Sequence, residues 1–211
     1  VFDSGRIRNG TVLMRALVVY CHPKPDSFTA AVRDLVVERL HKVGAEVRVD
    51  DLYAREFNPT LSDHELTIYL DETKNRAPVD REVGDLLWAD TLIFVYPTWW
   101  YGMPAMLKGW LDRAMVPGVA FLMPDDTHQD IRPGLAHITR LGVFTTCGAS
   151  WLLTRFIVAP GKRTLLRGVR LLCAKRCKTT FSAHFQMDAS TPRSRAAHLT
   201  RVGRKLERFL G

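Results

Sequence analysis

Three stretches of the chain carry residues whose types and spacing suit the holding of a ligand. Tyr96-Pro97-Thr98-Trp99-Trp100-Tyr101-Gly102-Met103-Pro104 sets three aromatic rings in a row within a loop-like context. A loop that exposes large apolar rings reads either as a platform for something flat or as a cap on the core. Pro97 and Pro104 restrict the backbone on either side, and Gly102 is the residue that permits a sharp turn. A second stretch offers His22, Lys24, Ser27 and Thr29 beside the start of a helix. Unpaired backbone N–H groups and the helix dipole favour an anion such as phosphate there, without a Walker or Rossmann glycine pattern. Taken alone, Ser27 reads as an N-cap and His22 as a plain loop residue. The third stretch, Thr145-Thr146-Cys147-Gly148, supplies two hydroxyls and small residues that let a ligand approach the backbone closely.

Regular elements must position these stretches. Residues 16–21 are almost uniformly apolar, the pattern of a strand buried on both faces of a parallel sheet. From Ser27 a helical stripe of Phe28, Ala31, Val32, Leu35, Val36 and Val43 runs to a stop at Gly44. Residues 46–50 alternate polar and apolar, as a strand near the sheet edge does. Between 53 and 78 the chain is loop-like, apart from the capping-box spacing of Ser62 and Glu65. A helix over 79–88 leads to a third strand, 91–96, which runs into the aromatic stretch. Another helix follows over 105–115, with Leu107, Trp110, Leu111 and Ala114 on one side. After a long connection from 117 to 133, residues 141–146 form a fourth buried strand that ends at the Thr-Thr-Cys-Gly stretch. Residues 151–173 are mostly helical with an interruption around Pro160-Gly161, and 178–185 make a fifth strand. Thr191 and Pro192 open a final helix to 210, whose inner face is Ala196, Leu199, Val202, Leu206 and Phe209. This alternation predicts an α/β fold: a doubly wound five-stranded parallel sheet with helices on both faces, one domain over 14–211. Residues 1–13 lack periodicity and read as an upstream or added extension.

Composition excludes several classes. With 46% hydrophobic and 25% charged residues the chain is an ordinary globular one, and no apolar run approaches the ~20 residues that span a bilayer. The cytoplasm is the expected location. Cys21, Cys147, Cys173 and Cys177 are too few for a disulfide framework, and their spacing is not that of a zinc knuckle, so no metal is expected. The net charge of +8 is uneven: residues 151–211 carry 14 Lys/Arg against Asp188 and Glu207. Such a cluster suits a solvated face, nucleotide phosphates or an acidic partner. Nucleic-acid binding is not expected, since no finger or RNP-like motif accompanies it.

In doubly wound sheets ligands sit beyond the carboxyl ends of the strands, at a topological switch point, and the three stretches fall at that end. Phosphate anchor, flat platform and hydrogen-bonding rim together describe a mononucleotide with a planar ring, a flavin. Cys21-His22, Ser27-Phe28-Thr29, the run from Pro97 to Trp110 and Thr145-Thr146-Cys147-Gly148 resemble the flavodoxin-like NAD(P)H:quinone oxidoreductases, over roughly 14–185. That resemblance implies noncovalent FMN or FAD, reduced by NAD(P)H and reoxidised by a quinone-like acceptor in a two-electron ping-pong cycle, usually in a homodimer. It assigns phosphate contacts to His22, Ser27, Phe28 and Thr29. Ring contacts fall on Pro97, Thr98, Trp99, Trp100, Tyr101, Thr145, Thr146, Cys147 and Gly148, and the substrate pocket on Trp100 and Tyr101.

The resemblance has gaps. Members of that family place a Tyr and a His shortly after the Thr-Thr-Gly-Gly segment; residues 151–161 contain neither, and Cys147 stands where glycine is usual. No residue is thereby marked as catalytic, because the flavin carries the chemistry. Arg155, Lys162 and Arg163 are available to balance charge on a reduced flavin or to serve as helix-surface charges. Ancillary proteins of potassium-efflux systems share the fold and motifs, so the alternative is a flavin-binding regulatory subunit docked on a transporter.

Overall fold

The computed structural model describes residues 7–8 and 11–211. The extension expected over 1–13 lies mostly outside the described residues; within it Ile7–Arg8 pairs antiparallel with Thr11–Val12.

Five strands, β1 (Arg15–Tyr20), β2 (Glu46–Asp51), β3 (Thr91–Thr98), β4 (Arg140–Cys147) and β5 (Lys178–His184), form one parallel sheet in the order β2-β1-β3-β4-β5. Besides the short helix Asp63–Thr67, the helices include α1 (Phe28–Lys42), α2 (Asp80–Trp88), α3 (Ala105–Ala114), α4 (Trp151–Phe156), α5 (Pro160–Arg163) and α6 (Pro192–Leu210). Side chains alternate across a strand, so one apolar run feeds two cores. From β1, Ala16, Val18 and Tyr20 pack with α1 and α6, while Leu17, Val19 and Cys21 pack with α2 and α3. Burial pushes the Cys21 thiol up to about 12, which makes it an inert packing residue. Among the described residues no helix is long and apolar enough to cross a membrane.

The edge strand β2 hides an exception to its outward polarity. Asp50 is 1% exposed. It accepts from Arg55 Nε at 2.5 Å and from Trp110 Nε1 at 2.9 Å, while Arg55 also reaches Glu82 at 2.6 Å. A buried carboxylate persists only when its charge and lone pairs are satisfied, and this fork ties β2, α2 and α3 together.

Local signals account for most element ends. Ser62 and Glu65 form the reciprocal capping box expected of them. Gly44 takes φ +78° as the chain leaves α1. Two helical faces differ from expectation. Val43 is exposed because it sits at the C-cap, past the last turn, and the inner face of α1 is Thr29, Ala30, Val32, Val36 and Leu40. Ala196 is exposed because α6 meets the sheet only from His198 onward. The interruption expected at Pro160-Gly161 falls just before it. Val158 and Ala159 take φ +58° and +46°, and Pro160 opens α5 as its first residue. α5 then widens into a π-type turn, Thr164–Val169, and ends at Leu172.

Candidate functional site

Strand order reverses between β1 and β3, so the loops leaving their carboxyl ends diverge and leave a crevice. The first wall is the start of α1. Ser27 Oγ accepts from Ala30 N at 3.1 Å and caps the helix, leaving the first-turn amides of Phe28 and Thr29 without helical partners. Ser27→Ala is expected to lower stability by about 1 kcal/mol, a fall of a few degrees in Tm by thermal denaturation. His22 borders the crevice. Its Nδ1 lies 3.0 Å from the Lys24 amide and 3.2 Å from the Lys24 carbonyl, which ties the ring to the loop, and partial burial lowers its pKa.

The second wall is the aromatic turn. Trp99 and Gly102 exchange backbone hydrogen bonds of 3.3 and 3.0 Å, and the two residues between them, Trp100 and Tyr101, take φ +48° and +61°. Positive φ at both central positions is the mark of a type I′ turn, usually built from Asn and Gly. The sharp conformation therefore falls on two bulky aromatics and not on Gly102. Left-handed bulky residues are strained by roughly 1–3 kcal/mol each, and such strain concentrates at ligand sites. Trp100 is 95% exposed, so nothing in the core explains its position.

The third wall is the end of β4. Neighbouring residues on a strand point to opposite faces, and the two threonines use both. Thr146 Oγ1 meets Thr29 Oγ1 of α1 at 3.1 Å, and Thr145 Oγ1 meets Thr98 Oγ1 of β3 at 2.8 Å. The pair cross-links all three walls. A Cβ at Gly148 would lie 2.8 Å from Asp188 Oδ2, so a larger residue there would have to turn that carboxylate aside.

Between the walls lies a cavity of about 630 Å³. His22, Pro97, Thr98, Trp99, Trp100, Tyr101, Thr146, Cys147 and Gly148 line it. Ser27, Phe28, Thr29 and Thr145 do not. Ser27 and Thr29 are used as cap and cross-link, Phe28 packs edge-on to His184 and His198, and Thr145 faces a smaller space behind the cavity. Ala149, Leu153, Met187 and Asp188 line it as well and were not expected. Met187 and Asp188 follow β5, so extending the carboxyl-end rule to the fifth strand would have found them.

A second left-handed pair, Val158 and Ala159, stands opposite the first, and Gly161 N approaches Tyr101 O at 3.5 Å. A Cβ at Gly161 would lie 3.2 and 3.3 Å from the backbone of Gly102. Gly161→Ala is thus expected to displace the aromatic turn by a few tenths of an ångström. Ligand affinity should fall about threefold to tenfold for a stability loss of about 1 kcal/mol, measured by titration and melting side by side.

A family model described as the flavodoxin-like fold matches residues 14–206. The chain belongs to the flavodoxin-like fold family. Within the curated proteins, this flavodoxin-like chain is 38% identical over 108 residues to the uncharacterized NAD(P)H oxidoreductase YcaK of Escherichia coli, covering 51% of this chain and 55% of that one. It is 37% identical over 123 residues to NAD(P)H dehydrogenase (quinone) 1 of Rattus norvegicus, covering 51% and 45%. The chain spans about half the length of the curated relatives it matches. Among solved structures, the NAD(P)H:quinone oxidoreductase from Methanothermobacter marburgensis aligns with a TM-score of 0.76 at 24% identity, over 92% of this chain and 98% of that one, a likeness of fold.

Proposed function

We propose that this flavodoxin-like chain is a flavin-dependent oxidoreductase that passes a hydride from NAD(P)H to a quinone or similar acceptor. The observation that carries the reading is the strained Trp100-Tyr101 turn at a switch-point cavity of about 630 Å³, within the range of sites for planar cofactors. The donor set fits FMN or FAD. First-turn amides of α1 and the ring of His22 suit a phosphate, while residues 97–101 and 146–148 would flank the ring system. When bound, the flavin supplies the two-electron chemistry. The chain's own part is to hold the phosphate end, to keep water from the ring with Trp99 and Trp100, and to orient it against the Thr145–Thr146 cross-links. The names of the relatives favour an enzyme over the transporter-subunit alternative.

The same reading extends to a homodimer. Trp100, Leu152 and Phe156 are exposed near the site, at 95%, 70% and 85%, and a second copy would cover such side chains. The four cysteines are unpaired and buried, which supports a reducing, cytoplasmic setting. The test is anaerobic mixing of flavin-loaded protein with NADH or NADPH. Bleaching of the visible flavin absorbance, reversed by a naphthoquinone, is the expected result; no bleaching with either nucleotide overturns the reading.

A further inference from the structure

Beyond α4 and α5 lies a second cavity of about 370 Å³, walled by Trp151 and Phe181 and by the cations Arg155, Lys162, Arg163 and Arg167. A small space of about 20 Å³ lies between the two, bordered by Tyr101 and Cys147 of the first and by Thr154, Lys162 and Phe185 of the second. Among the described residues no carboxylate lines the second cavity. From Trp151 to Met187 the sequence holds eight Lys and Arg and no Asp or Glu. Six arginines elsewhere, Arg33, Arg39, Arg48, Arg55, Arg113 and Arg132, each pair with an acid. Among the described residues, none of the four cavity cations makes an ion pair.

Two of the cations are held against aromatic rings. Lys162 Nζ lies 4.7 Å from the centroid of Phe181, and Arg155 Cζ 5.8 Å from that of Trp151. Lys205 donates to the Phe181 carbonyl from behind and adds another positive charge. Like charges gathered beside low-dielectric walls repel one another, and such a cleft focuses its field on incoming anions. Flat walls and four unpaired cations close beside the first cavity define the chemistry of what fits.

We infer that the second cavity is a subsite for an anionic group on a planar substrate whose ring occupies the first cavity. The naming of that substrate rests on the oxidoreductase reading above. The anion comes either from an aromatic acceptor bearing a carboxylate or sulfonate, or from the 2′-phosphate of NADPH.

Kinetics of flavin-loaded wild type and a Lys162→Gln/Arg163→Gln variant distinguish these sources. Both residues are exposed, so the fold is retained, with Tm as the check. The matched pairs are 1,4-naphthoquinone-2-sulfonate against menadione, and NADPH against NADH. A fall of tenfold or more in kcat/KM for the sulfonate relative to menadione assigns the subsite to the acceptor; the same fall for NADPH relative to NADH assigns it to the dinucleotide. If both ratios stay within twofold, the inference is overturned. Should wild type reduce its flavin with neither nucleotide, the oxidoreductase reading fails on its own account. The subsite is then read by quenching of tryptophan fluorescence with the naphthoquinone sulfonate. Binding at least tenfold weaker in the variant supports the inference, and equal binding ends it.

Discussion

Trp100→Gly is expected to weaken flavin and acceptor binding about 30-fold while leaving thermal stability within about 1 kcal/mol of wild type. The side chain is 95% exposed, so folding gains almost nothing from it. Its φ of +48° is a conformation that costs an L-residue roughly 1–2 kcal/mol and glycine almost nothing. Against that relief stands the greater freedom of glycine in the unfolded chain, roughly 0.5–1 kcal/mol, and the two nearly cancel. Binding has no such compensation. A tryptophan face lost from a ligand contact removes about 2 kcal/mol, which is about 30-fold in Kd. Flavin titration and thermal melting on the same preparation separate the two quantities. Unchanged affinity together with a raised Tm would return the turn to the role of a surface cap.

Acidification from pH 6.5 to about 4 is expected to destabilise the protein by about 3 kcal/mol through one histidine. His198 is 1% exposed, and among the described residues neither ring nitrogen has a partner; it packs edge-on to His184 at 5.1 Å and to Phe28 at 5.9 Å. Burial, then the neighbouring His184, Arg201 and Lys205, lower its pKa from 6.5 to about 4. The unfolded chain takes its proton near 6.5 and the folded one only near 4, so between these values the unfolded state binds more protons. Stability from this group is therefore full above 6.5 and is lost progressively toward 4; about 1.4 kcal/mol per unit gives the figure quoted. His184 shifts in the same direction and adds to the slope. Melting curves at pH 7 and 4.5 should show a much smaller difference in His198→Leu than in wild type. Equal differences would sink the assignment. Because Phe28 rests on this pair, the start of α1 should loosen in the same window, and with it the proposed phosphate contact.

The order of strands and helices was legible because buried parallel strands read as short apolar runs and helical stripes as a different period. Ser27, Thr191 and the Ser62–Glu65 pair announced their helix starts for the same reason: a capping oxygen needs a fixed offset from the amide it serves. The site was legible in its residues more than in its shape. Nothing local marks Trp100, Tyr101, Val158 and Ala159 as left-handed, since a side chain carries no sign of a conformation imposed by what surrounds it. Asp50 read as an outward residue of an alternating strand, yet its partners Arg55, Glu82 and Trp110 reach it from other elements. The two-residue pairing of Phe121–Leu122 with Arg132–Pro133 is too short to leave a pattern.

The two sides of the cavity are built to very different depths. α3 follows the aromatic turn and buries Leu107, Gly109, Trp110, Leu111 and Ala114, whereas the six residues of α4 bury none. In amide hydrogen exchange, α3 should open only with the whole molecule, and α4 by a local unfolding of small free energy. Ligand entry is then a question of how often α4 lets go, while the aromatic turn stays fixed. Whatever seats on α4, ligand or second copy, draws that opening closed by mass action, so ligand affinity should rise with protein concentration.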